Sequence, residues 1–175
     1  MHGDVSSVCV VPIEEQHIAG YGALVGVVAR ERKYIAFTDS PPADMSRQFV
    51  LDNIEQGNPH FVALAGGEVV GWCDIVRSRR TTHAHCGTLG MGVAPSWRGK
   101  GAGRALINAA IANAWAAGFV RLDLSVYADN SRAVALYERV GFVKEGRARD
   151  AALLDGRYVD VVQMGLINEA NKNQS

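Results

Sequence analysis

The residues best suited to chemistry run from Leu89 to Leu106: Leu-Gly-Met-Gly-Val-Ala-Pro-Ser-Trp-Arg-Gly-Lys-Gly-Ala-Gly-Arg-Ala-Leu. An extended segment stops at Pro95. A glycine-rich turn follows, with Arg98, Lys100 and Arg104 interleaved, and a helical pattern opens directly behind it. The first N–H groups of a helix lack an internal partner, and the helix dipole makes that end positive. Glycine lets the backbone approach a ligand closely. The combination makes a pocket for phosphate or pyrophosphate, with the cations as support. A Walker A loop is excluded, because Gly99-Lys100 is followed by Gly101 and not by Ser or Thr. A dinucleotide fingerprint finds Gly99 and Gly101 but meets Arg104 at its third glycine, although Asp123 stands about where a ribose-binding acid would. A glycine-rich helix start with no ligand is the third reading.

The elements around this segment can be read from periodicity and breakers. Residues 7–13 read as a strand and 14–32 as a helix. Thr38-Asp-Ser-Pro-Pro42 is a loop, because consecutive prolines do not fit a helix interior. Residues 43–56 read as a second helix, and Gly57-Asn58-Pro59 ends it. Strands at 60–65 and 69–77 flank a Gly66-Gly67 hairpin turn, and 86–94 is a further strand. The pattern then changes. Ala102, Leu106, Ala109, Ala110 and Asn113 form one stripe of a helix over 99–117, with Gly118 placed to stop it. Residues 120–126 alternate as a strand, and Asp129 or Asn130 caps a helix to about Val140. Strands from Phe142 to about Arg149 and from Tyr158 to Leu166 flank a turn at Asp155-Gly156. The strand–helix–strand passage implies a parallel pair with a right-handed crossover. The expected fold class is α/β: one domain with a mixed, mostly antiparallel twisted sheet of about seven strands, helices on both faces, and a central parallel splay.

The motif Arg98-x-x-Gly101-x-Gly103, after a Val-x-Pro strand end, resembles the acetyl-CoA loop of the GCN5-related N-acetyltransferases (GNAT). The segment Asn130-Ser-Arg-Ala-Val-Ala-Leu-Tyr137-Glu-Arg-Val-Gly141-Phe142 is similar to that family's second signature, in the right order and at a typical spacing. The resemblance covers residues 61–166, with 7–60 as a variable substrate-side region and 168–175 as a frayed tail. It implies one N-acetyltransferase domain over 1–175 and acetyl-CoA as co-substrate, with no metal. Backbone amides of Gly99, Lys100, Gly101, Ala102, Gly103 and Arg104, with Arg98 beside them, would hold the pyrophosphate. Met91, Gly92 and Val93 would pair with the pantetheine arm, Asn130 would hydrogen-bond it, and Tyr137 would be the general acid.

Acetyl transfer from a thioester to an amine needs a neutral amine, donors for an oxyanion, and a proton for the leaving thiolate. Gly90 and Gly92 around Met91 make a strand bulge plausible there, with a backbone N–H as oxyanion donor. Several members of the family carry a Glu at the positions that match Thr88 and Ser125, so the base is open between Asp74, Asp123, His83, His85 and water. Tyr34-Ile-Ala-Phe37 can wall an acceptor pocket or pack as a helix end. Asp160 can meet a cationic amine or sit as a turn acid. The expected acceptor is a primary amine on an amino-acid-like small molecule. The alternatives are a protein α-amine, or a CoA-binding sensor without chemistry.

Composition narrows the partners. Lys plus Arg and Asp plus Glu are 18 each, so the net charge is zero and no global field exists for gripping nucleic acid or an anionic membrane. Cys9, Cys73 and Cys86 are odd in number with no CxxC pair, which argues against a disulfide framework and a structural zinc site. Met1-His-Gly-Asp4 lacks the pattern of a signal peptide, and the longest apolar run, 19–29, is too short to span a bilayer. The expectation is a cytoplasmic protein that can pair as a homodimer through its last strands.

Overall fold

The structure is a computed structural model that describes residues 7–173; Met1 to Asp4 and the last two positions of the expected frayed tail lie outside them. The elements are β1 (Cys9–Pro12), α1 (Ile18–Arg30), α2 (Ala43–Glu55), β2 (His60–Ala65), β3 (Glu68–Arg77), β4 (Cys86–Val93), α3 (Ala102–Ala116), β5 (Arg121–Tyr127), α4 (Ser131–Arg139), β6 (Val143–Leu154), β7 (Arg157–Ile167) and α5 (Glu169–Lys172). The strands form one sheet in the order β1-β2-β3-β4-β5-β7-β6. Only β4 and β5 run parallel, which fits the crossover through α3.

Alternation along β3 shows how the two faces fill. Trp72 points to the α1–α2 side, where it packs with Tyr21, Leu24, Val28, Val50 and Val62. Cys73 and Ile75 point the other way, toward Leu106, Ala110, Leu122, Leu124, Tyr137 and Met164 under α3 and α4. Contact between α3 and β3 is close. A Cβ on Gly71 would stand 2.8 Å from Leu106 Cδ1.

The pairing of β4 with β5 covers only Cys86↔Arg121 to Thr88↔Asp123, so the strands part beyond Thr88 and the expected splay is present. The bulge at Met91 is not. β4 pairs with β3 in unbroken register from Gly87↔Arg77 to Val93↔Gly71. Gly90 and Gly92 serve space and not backbone irregularity: a Cβ on Gly92 would overlap the Trp72 ring at 2.3 Å, and one on Gly90 would meet the Asp74 carboxylate at 3.5 Å.

Three boundaries also differ from expectation. The first helix opens with a 3-10 turn, Glu15–His17, before α1 proper. β6 continues past Arg149 because a register shift between Ala148 and Ala152, with Asp150 at φ 51°, lets the chain resume pairing with β7. The hairpin then turns at Asp155 (φ 49°) and Gly156 (φ 78°), the pair of positive φ values that a tight two-residue turn needs. The tail is not frayed through residue 173. Asn168 caps α5, and Asn171 Nδ2 donates to the carbonyls of Trp115 and Phe119 at 2.9 and 2.8 Å. The polar composition that suggested fraying supplies these bonds.

Candidate active site

The parted ends of β4 and β5 bound a cleft of ≈ 700 Å³, with α4 and the loop before α3 on one side and the end of α1 on the other. That size suits a small-molecule site. Met91, Gly92, Val93, Arg98, Gly99, Gly101, Gly103, Arg104, Asn130 and Tyr137 all line it. Lys100 and Ala102 do not. The Lys100 ammonium rests 5.1 Å over the Trp97 ring, and the Ala102 side chain is buried, so only its backbone faces the loop.

The loop is held open by its glycines. Gly99 and Gly101 sit at φ 73° and 88°, in the left-handed region, and a Cβ on Gly101 would touch nothing. No side chain caps α3, so its first amides are uncommitted by capping. Arg104, Arg132 and Arg139 line the same side with no carboxylate partner among the described residues. Free amides and unpaired guanidiniums together suit an anionic ligand. Asn130 caps α4 through its side-chain oxygen, which accepts from Ala133 N at 3.2 Å and leaves its Nδ2 protons as donors.

Arg98 works differently from its neighbours. Its Nε donates to Val93 O at 2.9 Å, and its two terminal nitrogens grip both Glu31 oxygens at 2.9 and 2.5 Å. Its guanidinium also lies 4.6 Å over the Tyr34 ring. A fork engaged this way braces the loop against β4 and α1. Arg98 still lines the cleft, beside the loop that is expected to hold the pyrophosphate.

Tyr137 reaches the cleft from α4. Its ring is 8% exposed and meets Phe142 edge-on at 6.0 Å. Burial, helped by the Cys73 thiol, raises its phenol above the ordinary value, so it stays protonated.

The candidate bases separate clearly. Asp123 accepts from Arg121, which also pairs with Glu145. His83 and His85 precede β4 at the end away from the cleft; five or six strand residues put His85 roughly 20 Å from Met91. Asp160 accepts from Arg147 Nε and from Asp150 N, so it is the turn acid and not an amine contact. Asp74 is buried on the α1 face of the sheet, and desolvation pushes its carboxyl up to about 7. Tyr34 lines the cleft, whereas Phe37 is 54% exposed and outside it.

Sequence reasoning missed Glu31, Lys33, Arg132 and Arg157. Lys33 and Arg157 line the cleft, and Arg157 pairs with Asp129 at 3.0 Å. Arg132 lies inside the second signature and was legible as a basic residue at a helix start. Glu31 and Arg157 gave no local signal, because their partners are distant in sequence. Among the described residues no group of three or more His, Cys, Asp or Glu side chains is placed to hold a metal ion, and no helix is long and apolar enough to cross a membrane.

A profile of the Acetyltransferase (GNAT) family matches residues 28–142. The chain is 32% identical over 160 residues to the L-amino acid N-acetyltransferase AaaT of Escherichia coli (strain K12), covering 90% of this chain and 98% of that one. It is 30% identical over 157 residues to an L-methionine sulfoximine/L-methionine sulfone acetyltransferase of Pseudomonas paraeruginosa, covering 85% and 91%. A Salmonella typhimurium protein of solved structure, yncA, described as a putative acetyltransferase with its cofactor acetyl-CoA, superposes with a TM-score of 0.86 at 19% identity, over 91% of this chain and 93% of that one. With the profile covering most of the chain, the two signatures and the splayed sheet in place, the chain belongs to the GNAT family of acetyltransferases.

Proposed function

We propose that the protein moves the acetyl group of acetyl-CoA to the primary amine of an amino-acid-like small molecule, by direct attack with both substrates bound. The observation that carries this reading is a single cleft with two chemically different ends. One end has the uncapped start of α3 and the unpaired Arg104, Arg132 and Arg139, which fit the phosphates of acetyl-CoA. The other has Lys33 and Tyr34 under the β6–β7 hairpin. Tyr137 lies between them.

In this reading the amides of Gly99 to Arg104 hold the pyrophosphate, and the unpaired edge of β4 at Met91 to Val93 hydrogen-bonds the pantetheine arm together with Asn130. The neutral phenol of Tyr137 gives its proton to the departing thiolate. Lys33 has no carboxylate partner among the described residues and suits an acceptor's α-carboxylate. The hairpin tip is tied over this end by Arg32–Asp155 at 2.5 Å and Arg157–Asp129 at 3.0 Å. A closed end of that kind favours a compact acceptor over a polypeptide. The amino-acid substrates in the names of AaaT and the methionine sulfoximine enzyme support the same class.

The test uses isotopically labelled acetyl-CoA, the purified protein and pooled amino acids, polyamines and short peptides, read by mass spectrometry. Labelled amino acids are expected. Label on peptides alone would replace this reading with α-amine acetylation of proteins. Acetyl-CoA binding with no labelled product would point to a sensor.

A further inference from the structure

We infer that Asp74 receives the acceptor's proton, taking over from β3 the role of a base that β4 and β5 do not supply. The inference rests on the proposed amine acetylation and adds the group that makes the amine reactive.

The geometry is a lane across the sheet. Asp74 is directly opposite Gly90, as Trp72 is opposite Gly92. On the far side of Gly90 the sheet has already opened, and Ser125 lines the cleft there. Gly90 has no side chain to stand between. Both Asp74 carboxylate oxygens lie 3.5 Å from the point a Gly90 Cβ would occupy, so the carboxylate leans over β4 toward the cleft. Neighbouring strands are about 4.8 Å apart, so one bridging water completes the path from an amine at the opening.

Asp74 is also free to act. The neighbouring acids are engaged: Glu31 with Arg98, Asp123 with Arg121, and Asp129, which lines the cleft, with Arg157. Among the described residues no hydrogen bond or ion pair holds Asp74. The groups facing it are few. Tyr21 comes from α1, with its phenol raised by burial and then by Asp74 itself. His60 is its cross-strand partner on β2, kept neutral by burial, which lowers it to about 4. β4 contributes glycine, Asn53 of α2 bonds His60 and not Asp74, and the Cys73 thiol is on the opposite face of the sheet. His60 Nδ1 takes a hydrogen from Asn53 Nδ2 at 3.2 Å, which puts its own proton on Nε2, a buried atom with no partner. An orphan donor on the residue paired with Asp74 across the strands is what a site built around water would show.

The proton inventory closes. The bound ammonium gives one proton through water to the Asp74 carboxylate and becomes the nucleophile. Its nitrogen forms the bond to the acetyl carbon as the C–S bond breaks. The second nitrogen proton passes to the Tyr137 phenolate, which has just given its own proton to the departing thiolate. Asp74 releases its proton to solvent.

The experiment compares wild type, Asp74→Asn and Asp74→Glu on two acceptors. One is the best amino acid from the labelling screen. The other is an analogue whose weakly basic amine is already neutral at pH 7. For the amino acid, kcat/KM of the wild type should rise with pH through about 7. Asp74→Asn should lower kcat about 10²- to 10³-fold and erase that inflection, while acetyl-CoA affinity stays unchanged. Asp74→Glu should restore part of the rate. The neutral acceptor should lose less than about tenfold, which a folding defect would not reproduce. A variant with wild-type kcat and pH profile, an equal loss on both acceptors, or a change in KM alone would overturn the inference. A wild type that acetylates no amine would overturn the proposed function itself, and this role with it.

Discussion

The two ends of the cleft are built on opposite plans. The cofactor end is assembled from consecutive chain: β4, its glycine turn and the start of α3, then β5 and the start of α4. It is backed by one apolar core that includes Leu89, Leu106, Leu124 and Tyr137. The acceptor end is assembled from pieces that meet only in three dimensions. Glu31 grips Arg98, Arg32 grips Asp155, and Tyr127 OH donates to Ile35 O at 3.4 Å. Beneath it lie buried polar groups, His60 and Asp74, in place of a purely apolar floor. One end is therefore a rigid cradle fixed by local backbone conformation. The other is closed by the exposed Arg32–Asp155 and Arg157–Asp129 pairs, each worth about 0–1 kcal/mol, together with the partly buried Glu31–Arg98 pair.

The largest effect should come from Tyr137→Phe. If the phenol serves only the chemical step, kcat falls about 10²- to 10⁴-fold while the Kd for acetyl-CoA, measured by calorimetry, is unchanged. A parallel loss of affinity would make Tyr137 part of the cradle instead. Next is Gly101→Val. The residue at φ 88° must leave the left-handed region or bear about 1–3 kcal/mol of strain, and its new side chain faces the cleft. The Kd for acetyl-CoA should rise tenfold or more with the acceptor KM little affected. Equal damage to both constants would erase the contrast between the two ends.

That contrast also explains what could be read in advance. Arg98 to Arg104 could be read as a candidate phosphate site because turn, glycines and helix start are neighbours in sequence. A helix cap at Asp129 or Asn130 was legible in the same way, whereas the roles of Asn130 and Tyr137 came only from the resemblance of residues 130–142 to the family's second signature. Asp74 could be named as a candidate but not chosen, since its fitness depends on β4 offering glycine opposite it and on Arg121 occupying Asp123. The engagement of Arg98 was invisible because its partner is 67 residues away. The expected bulge failed for a related reason: a glycine in a strand signals room as often as it signals a break, and only the neighbouring strand shows that Trp72 fills it.

The link between the two ends offers a sharper test. Glu31→Gln keeps the shape of the Glu31–Arg98 contact and removes its charge. The pair is partly buried, with side-chain exposures of 26% and 19%, so the loss should be about 1–2 kcal/mol of stability. Freed from Glu31, the Arg98 fork no longer braces the glycine loop against α1. The KM values for acetyl-CoA and for the acceptor should then rise together, a few-fold each. A change confined to acetyl-CoA would mean that α1 merely adjoins the cradle.

The smallest expected effect is a flat one. Between about pH 5 and 6.5 the two buried groups under the acceptor end titrate against each other. His60, lowered to about 4 by burial, takes up protons more readily in the unfolded chain, so its contribution makes stability rise with pH across this window. Asp74, pushed up to about 7, holds its proton more tightly in the folded protein, so its contribution makes stability fall with rising pH. Each can add a slope of at most about 1.4 kcal/mol per pH unit, with opposite signs. The exposed acids Asp39, Glu145 and Asp160 are all held below their ordinary values and act mainly below this window. Urea unfolding of the wild type should therefore change little from pH 5 to 6.5. Asp74→Asn removes the falling contribution, and its stability should climb over the same range. A wild-type curve that already climbs, or an Asp74→Asn curve that stays level, would show that the buried polar floor is hydrated enough to titrate like the surface, which would leave the acceptor end without the low-dielectric setting that separates it from solvent.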